Sequence, residues 1–133
     1  MDQELIMKLT MLEGQARELQ EKSDLVDKQL SELTLFNSNL DDLADSEEKS
    51  MLATLGKGVY IKTELKDQDL FVDIGAGVLV KKSPKETKET IKNQIKGLND
   101  LKLQLTMSIE DLNSQLQEGL RELEKQQAIA QSS

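Results

Sequence analysis

Apolar residues recur along the first third of the chain in alternating steps of four and three: Leu5, Leu9, Leu12, Ala16, Leu19, Ser23, Val26, Leu30, Leu33, Asn37, Leu40 and Ala44. This is an a/d heptad register held for about six repeats, past the three to four that argue for a coiled coil. The last third carries the same pattern, running from Ile91 through Ile95, Leu98, Lys102, Leu105, Ile109, Leu112, Leu116 and Gly119 to Leu123. Its start is marked by Ser83-Pro84-Lys85-Glu86. Ser83 can cap the free amides, Pro84 supplies a preset φ at the first helical position, and Glu86 completes a capping box. The pattern predicts one helix within residues 1–49 and another within 84–133, each of about 45 residues, or roughly 65 to 70 Å at 1.5 Å per residue.

Between them, period-two alternation replaces the heptads. Val59, Ile61, Thr63 and Leu65 fall on one face of a strand, with Tyr60, Lys62, Glu64 and Lys66 on the other. Glycine clusters here as Gly56-Lys57-Gly58 and Gly75-Ala76-Gly77. Residues 50–83 therefore predict two hairpins, Met51 to Leu55 with Val59 to Lys66, and Leu70 to Ile74 with Val78 to Lys82. Isolated hairpins are marginal in water and their open edges pair with any available strand. Four short strands on one coiled coil thus call for strands from other subunits, with Leu52, Leu55, Val59, Ile61, Leu65, Leu70, Val72, Ile74, Val78 and Val80 as candidate interface residues.

If the chain reverses at the hairpins, the two seams pair antiparallel, with partner numbers adding to 131 or 132. Leu9 would then meet Leu123, Leu12 would meet Gly119 and Leu30 would meet Lys102. Charge supports the reversal: residues 1–50 hold 13 acidic and 5 basic side chains, while Lys85, Lys88, Lys92 and Lys96 crowd the start of the second helix. Acids at a helix C-terminus and bases at an N-terminus both oppose the macrodipole, and pairing lets them offset each other. The expected fold is α+β but mostly α: a long antiparallel two-helix coiled coil carrying two central β-hairpins, in a single domain of residues 1–133.

Composition narrows the chemistry. The 133 residues include no His, no Cys and no Trp, and the only aromatics are Phe36, Tyr60 and Phe71. Such a chain has no Ser-His or Cys-His pair, no haem or zinc ligand set and no disulfide. No enzyme, cofactor or metal site is expected. The acidic run from Asp41 to Glu48 lacks the glycine and alternate-residue spacing of a calcium loop. Neither G-x-G has a third glycine or a βαβ frame, and Gly56-Lys57-Gly58 misses phosphate-loop spacing, so both read as tight turns. A net charge of -8 disfavours phosphate backbones and anionic lipid, so neither nucleic acid nor membrane is expected as a partner. With no membrane-spanning run and no signal-peptide start, a cytoplasmic location is expected.

One apolar excess lies outside the seam. Ile6, Met7 and Met11 near the start, and Leu120 and Ile129 near the end, sit off the a/d register, and antiparallel pairing makes those ends neighbours. Two helices cannot cover all of them. Methionine is flexible and polarizable, which suits contact with varied apolar partners.

The stretches Leu55-Gly56-Lys57-Gly58-Val59-Tyr60-Ile61-Lys62-Thr63-Glu64-Leu65-Lys66 and Phe71-Val72-Asp73-Ile74-Gly75-Ala76-Gly77-Val78-Leu79-Val80-Lys81-Lys82, set between heptad arms, resemble prefoldin of the α class. One departure is Thr54, where this family often carries proline. The resemblance implies an ATP-independent chaperone built as a hexamer of two α-class and four β-class subunits. Hairpins would form an inter-subunit β-barrel, and coiled-coil tips would hold non-native polypeptide for a group II chaperonin. The matching tip residues are Leu5, Ile6, Met7, Leu9, Met11, Leu120, Leu123 and Ile129. Two alternatives remain on sequence: a structural coiled-coil spacer that binds no unfolded protein, and a homo-oligomeric or filament-forming relative without β-class partners.

Overall fold

The computed structural model describes residues 2–45, 47 and 49–132; Glu48 of the acidic run lies outside them. Element order is α1 (Gln3–Asp45), β1 (Ser50–Gly56), β2 (Val59–Glu64), β3 (Leu70–Asp73), β4 (Leu79–Lys82) and α2 (Pro84–Ser132). Each helix begins on a cap. The Asp2 carboxylate accepts from the Glu4 and Leu5 amides at 3.0 and 3.3 Å, and the Ser83 hydroxyl accepts from the Glu86 amide at 3.1 Å. Pro84 is the first helical residue, as its fixed φ favours.

The chain divides into two units, one of Met1–Leu30 with Gly97–Ser133 and one of Ser31–Lys96. In the first, all heptad positions from Leu5 to Leu30 and from Leu98 to Leu123 are buried or half-buried, with Leu9, Leu12, Ser23 and Val26 most covered. In the second, Leu33, Asn37, Leu40 and Ala44 continue the α1 seam beside Ile91 and Ile95, and Leu40 and Ile91 are only 4% and 3% exposed.

Direction is as expected, but register is not. Leu9 packs on Gly119, Asp27 pairs with Lys102 and Asp41 pairs with Lys88, so partner numbers add to 128 or 129, about three lower than expected. A heptad repeat leaves pairing ambiguous by one turn, because every knob finds a similar hole one turn away. Side-chain chemistry removes the ambiguity. The ammonium of Lys102, half-buried in the seam, reaches the Asp27 carboxylate, and the missing Cβ at 119 admits Leu9, whose Cγ lies 3.3 Å from where that atom would be.

The strands form two separate antiparallel pairs, β1 with β2 and β3 with β4. In the first, Ser50 opposes Glu64, Ala53 opposes Ile61, and Thr54 opposes Tyr60, with a bulge before Gly56. Val72 opposes Val80 in the second. The turns share one backbone solution: Gly56, Lys57 and Gly58 have φ of 125°, 50° and 77°, and Gly75, Ala76 and Gly77 have 122°, 52° and 75°. Positive φ at both central residues is the twist-matched geometry for a tight hairpin, and it makes both G-x-G motifs structural turns.

Candidate functional site

Three groups of apolar side chains stand at the surface. At the paired ends of α1 and α2 in the first unit, Ile6, Met7, Met11, Leu120 and Ile129 are exposed, with Met7 at 70% and Ile129 at 69%. Leu5, Leu9 and Leu123 lie in the seam instead, and Leu9 is only 9% exposed. The structure thus separates the eight expected tip residues into a floor of three, with Leu9 buried and Leu5 and Leu123 half-buried, and an exposed rim of five. A shallow groove of about 230 Å³ runs over the floor between Leu5, Leu9, Leu12 and Gly119, flanked by Lys8, Glu118 and Glu122. It has the small volume and charged margins of a furrow between helices, not of an enclosed ligand site.

The second group is the first hairpin. Met51, Val59 and Ile61 share one face and Leu52 and Tyr60 the other, and all five are exposed, as is Leu55 at the bulge. Of the face that alternation along β2 predicts as covered, Thr63 and Leu65 are half-buried while Val59 and Ile61 are exposed, and the opposite face, with Tyr60, Lys62, Glu64 and Lys66, is exposed throughout. The second hairpin differs, since Leu70, Val72, Val80 and Lys82 are half-buried while Phe71, Ile74, Val78 and Leu79 are exposed. Of the ten expected interface residues, Leu52, Leu55, Val59, Ile61, Ile74 and Val78 are therefore exposed, and Leu65, Leu70, Val72 and Val80 are half-buried.

A third group was not anticipated: Leu25, Leu101, Leu103 and Met107 are exposed in the first unit, away from the helix ends. The signal was available, because these positions are apolar yet off the a/d register. An inventory of off-register apolar residues confined to the chain ends passes over them.

Electrostatics is sparse. Lys81 holds Asp69 at 3.0 Å across the base of the second hairpin. That hydrogen bond and the charge of Asp69 raise the Lys81 pKa above the ordinary lysine value. Arg17–Glu13 and Lys22–Glu18 are exposed pairs one helical turn apart and contribute only a few tenths of a kcal/mol each. Among the described residues no group of three or more Asp or Glu side chains is placed to hold a metal ion, and no helix is long and apolar enough to cross a membrane.

The family model for prefoldin subunits matches residues 12–128, covering both arms and both hairpins. The chain belongs to the prefoldin family. Prefoldin subunits alpha are its curated relatives: it is 33% identical over 98 residues to that of Methanobrevibacter smithii, spanning 73% of this chain and 67% of the relative. It is 38% identical over 80 residues to prefoldin subunit alpha 2 of Thermococcus kodakarensis, 59% of this chain and 56% of that protein, and 30% identical over 118 residues to the Archaeoglobus fulgidus subunit alpha, 82% and 86%. These relatives make it an archaeal-type prefoldin α subunit. The fold also matches that of filamentous PFD from Methanocaldococcus jannaschii, determined by cryo-EM, at a TM-score of 0.72 and 18% identity, covering 86% of this chain and 96% of that one. Prefoldins are chaperones rather than enzymes, and the side chains gathered at these surfaces offer apolar contact area.

Proposed function

We propose that this prefoldin chain is the α-class subunit of an ATP-independent chaperone that holds non-native polypeptide at its paired helix ends and passes it to a group II chaperonin. The observation that carries this reading is the exposed rim of Ile6, Met7, Met11, Leu120 and Ile129 above a floor of seam residues. Fully seamed helices leave such side chains nothing of their own to cover. Burial gains about 25 cal/mol per Å², so a contact of roughly 100 Å² contributes about 2.5 kcal/mol, too little alone to hold a client. Several subunits acting on one chain supply the rest.

That arithmetic calls for an assembly, and the open hairpins supply its surface. In this reading two copies join four β-class subunits through a β-barrel built from hairpins, in the cytoplasm, the whole of residues 1–133 acting as one prefoldin-like domain. The experiment has two parts. Native mass spectrometry of the complex recovered from its own cells is expected to give two copies with four of a similar small subunit. A lone chain or a homopolymer would sink that stoichiometry and favour the spacer or filament alternative. Replacing Ile6, Met7 and Met11 together by Ser is then expected to reduce suppression of client aggregation several-fold at unchanged assembly mass. Unchanged suppression would remove these side chains from the client surface.

A further inference from the structure

The chain has five methionines and no cysteine, so the thioether is the only sulfur group it offers to an oxidant. Met1 lies outside the described residues. The other four are all exposed, Met7 at 70%, Met11 at 65%, Met107 at 61% and Met51 at 42%. Methionine is a common gap-filler of hydrophobic cores, yet no seam position from Leu5 to Ala44 or from Ile91 to Leu123 carries one. The packing between the helices is therefore free of oxidisable sulfur.

Met7 and Met11 lie four residues apart on α1, which puts them side by side on one helix face with about 5 to 6 Å between their Cβ atoms. Beneath them Leu9 packs on Gly119 and Leu12 is buried. An oxidant that reaches the rim thus finds two adjacent thioethers and none in the floor. In the reaction, a sulfur lone pair attacks one oxygen of a hydroperoxide, an S–O bond forms, the O–O bond breaks, and the rest leaves as water or an alcohol. Sulfur gives up the two electrons that the peroxide takes. The product sulfoxide is polar where methionine was apolar and flexible. A dithiol reverses the step by supplying two electrons and two protons, so that the oxygen leaves as water and the dithiol becomes a disulfide. With no thiol in this chain, that reductant is a separate protein of the methionine sulfoxide reductase class.

We propose that Met7 and Met11 form a reversible oxidation site through which a hydroperoxide weakens client holding at the tip while the coiled coil and the assembly stay intact. The inference rests on the reading of the rim as client surface and adds its regulation. Oxidation makes two of the five rim side chains polar, and a client held by several weak contacts feels that change at each copy of the chain. The other methionines supply the contrast. Met107 is nearly as exposed but stands away from the helix ends, and Met51 is the least exposed and sits in the hairpin proposed for the barrel.

The test treats the complex recovered from its own cells with hydrogen peroxide, at a dose that leaves its native mass and helical circular dichroism unchanged. Peroxide is removed before guanidinium-denatured citrate synthase is diluted in as the client. Peptide mass spectrometry is expected to find one added oxygen on each of Met7 and Met11 before any on Met51. Suppression of aggregation is expected to fall at least three-fold, and to return after treatment with reductases for both sulfoxide epimers and a dithiol. Each variant is read against its own untreated activity. Met7→Leu combined with Met11→Leu keeps apolar side chains of similar volume and is expected to abolish the peroxide response, whereas Met107→Leu is expected to retain it. The switch is overturned by tip sulfoxides with unchanged suppression, by Met7 and Met11 staying reduced while Met107 reacts, or by a doubly substituted complex that loses as much as wild type. In each of those cases the chaperone reading still stands, provided the untreated complex suppresses aggregation. An untreated complex that suppresses none overturns both.

Discussion

Gly14 and Gly119 are both helical glycines, yet their surroundings give substitution opposite signs. A Cβ at Gly14 meets nothing within 4 Å, whereas one at Gly119 enters the space of the Leu9 side chain. Alanine in an open helix interior stabilises by roughly 0.5–1 kcal/mol over glycine. Urea unfolding followed by helical circular dichroism is therefore expected to show Gly14→Ala raising the midpoint. Gly119→Ala is expected to show no such gain, because Leu9 must leave its position to admit the new methyl. The difference was not legible in the sequence: Gly119 occupies a seam position in the heptad count, but only the pairing of helices shows that Leu9 fills its gap. The turn glycines were legible, since a G-x-G between two alternating apolar runs has few other uses.

At the scale of elements, the second hairpin is tied by Lys81 and Asp69, and the direction of the lysine shift fixes its pH dependence. A lysine whose folded pKa is raised contributes stability that is complete below its unfolded value and is lost as pH rises through the folded value. The ion pair therefore acts across the neutral range and fades only in strong alkali. A carbon-detected NMR titration of the lysine side chains is expected to show Lys81 deprotonating after the solvated lysines, and Asp69→Asn to remove the delay. Simultaneous titration in wild type would contradict the geometry. The helices show where element-level reading succeeds and stops. Every a/d position named from Leu5 to Ala44 is buried or half-buried, because a sustained 3.5-residue period has one stable use. The register differed by about three residues, because Asp27 with Lys102, Asp41 with Lys88, and Leu9 on Gly119 choose among turns that the repeat makes equivalent.

The whole molecule leaves a hairpin with apolar side chains on both faces and seals its helix seam, a distribution that makes sense for one part of an assembly. Ile61 is 49% exposed and is one of the hairpin residues proposed for the inter-subunit barrel. Ile61→Asp is expected to preserve the helical signal of the chain, since Ile61 lies in β2, outside both helices, and to abolish the higher-mass complex in native mass spectrometry. Retention of that complex would assign the barrel to other side chains. The same logic separates the tip from the hairpin: changes at Met7 or Met11 are expected to alter client binding at constant mass, and changes at Ile61 to alter the mass itself.

The sequence by itself determined the element types and their order, the antiparallel sense, the turn positions, the absence of His and Cys chemistry and the family, because each rests on local period, composition or a contiguous motif. Tertiary structure decided what depends on distant residues meeting. It set the helix register, divided the tip into the buried Leu9 with half-buried Leu5 and Leu123 and the exposed Ile6, Met7, Met11, Leu120 and Ile129, and left Val59 and Ile61 of the first hairpin exposed while half-covering one face of the second. It also brought Phe36, Phe71 and Ile91 around one cavity. A heptad assigns a residue to a face, but the partner across that face determines whether it is core or contact surface.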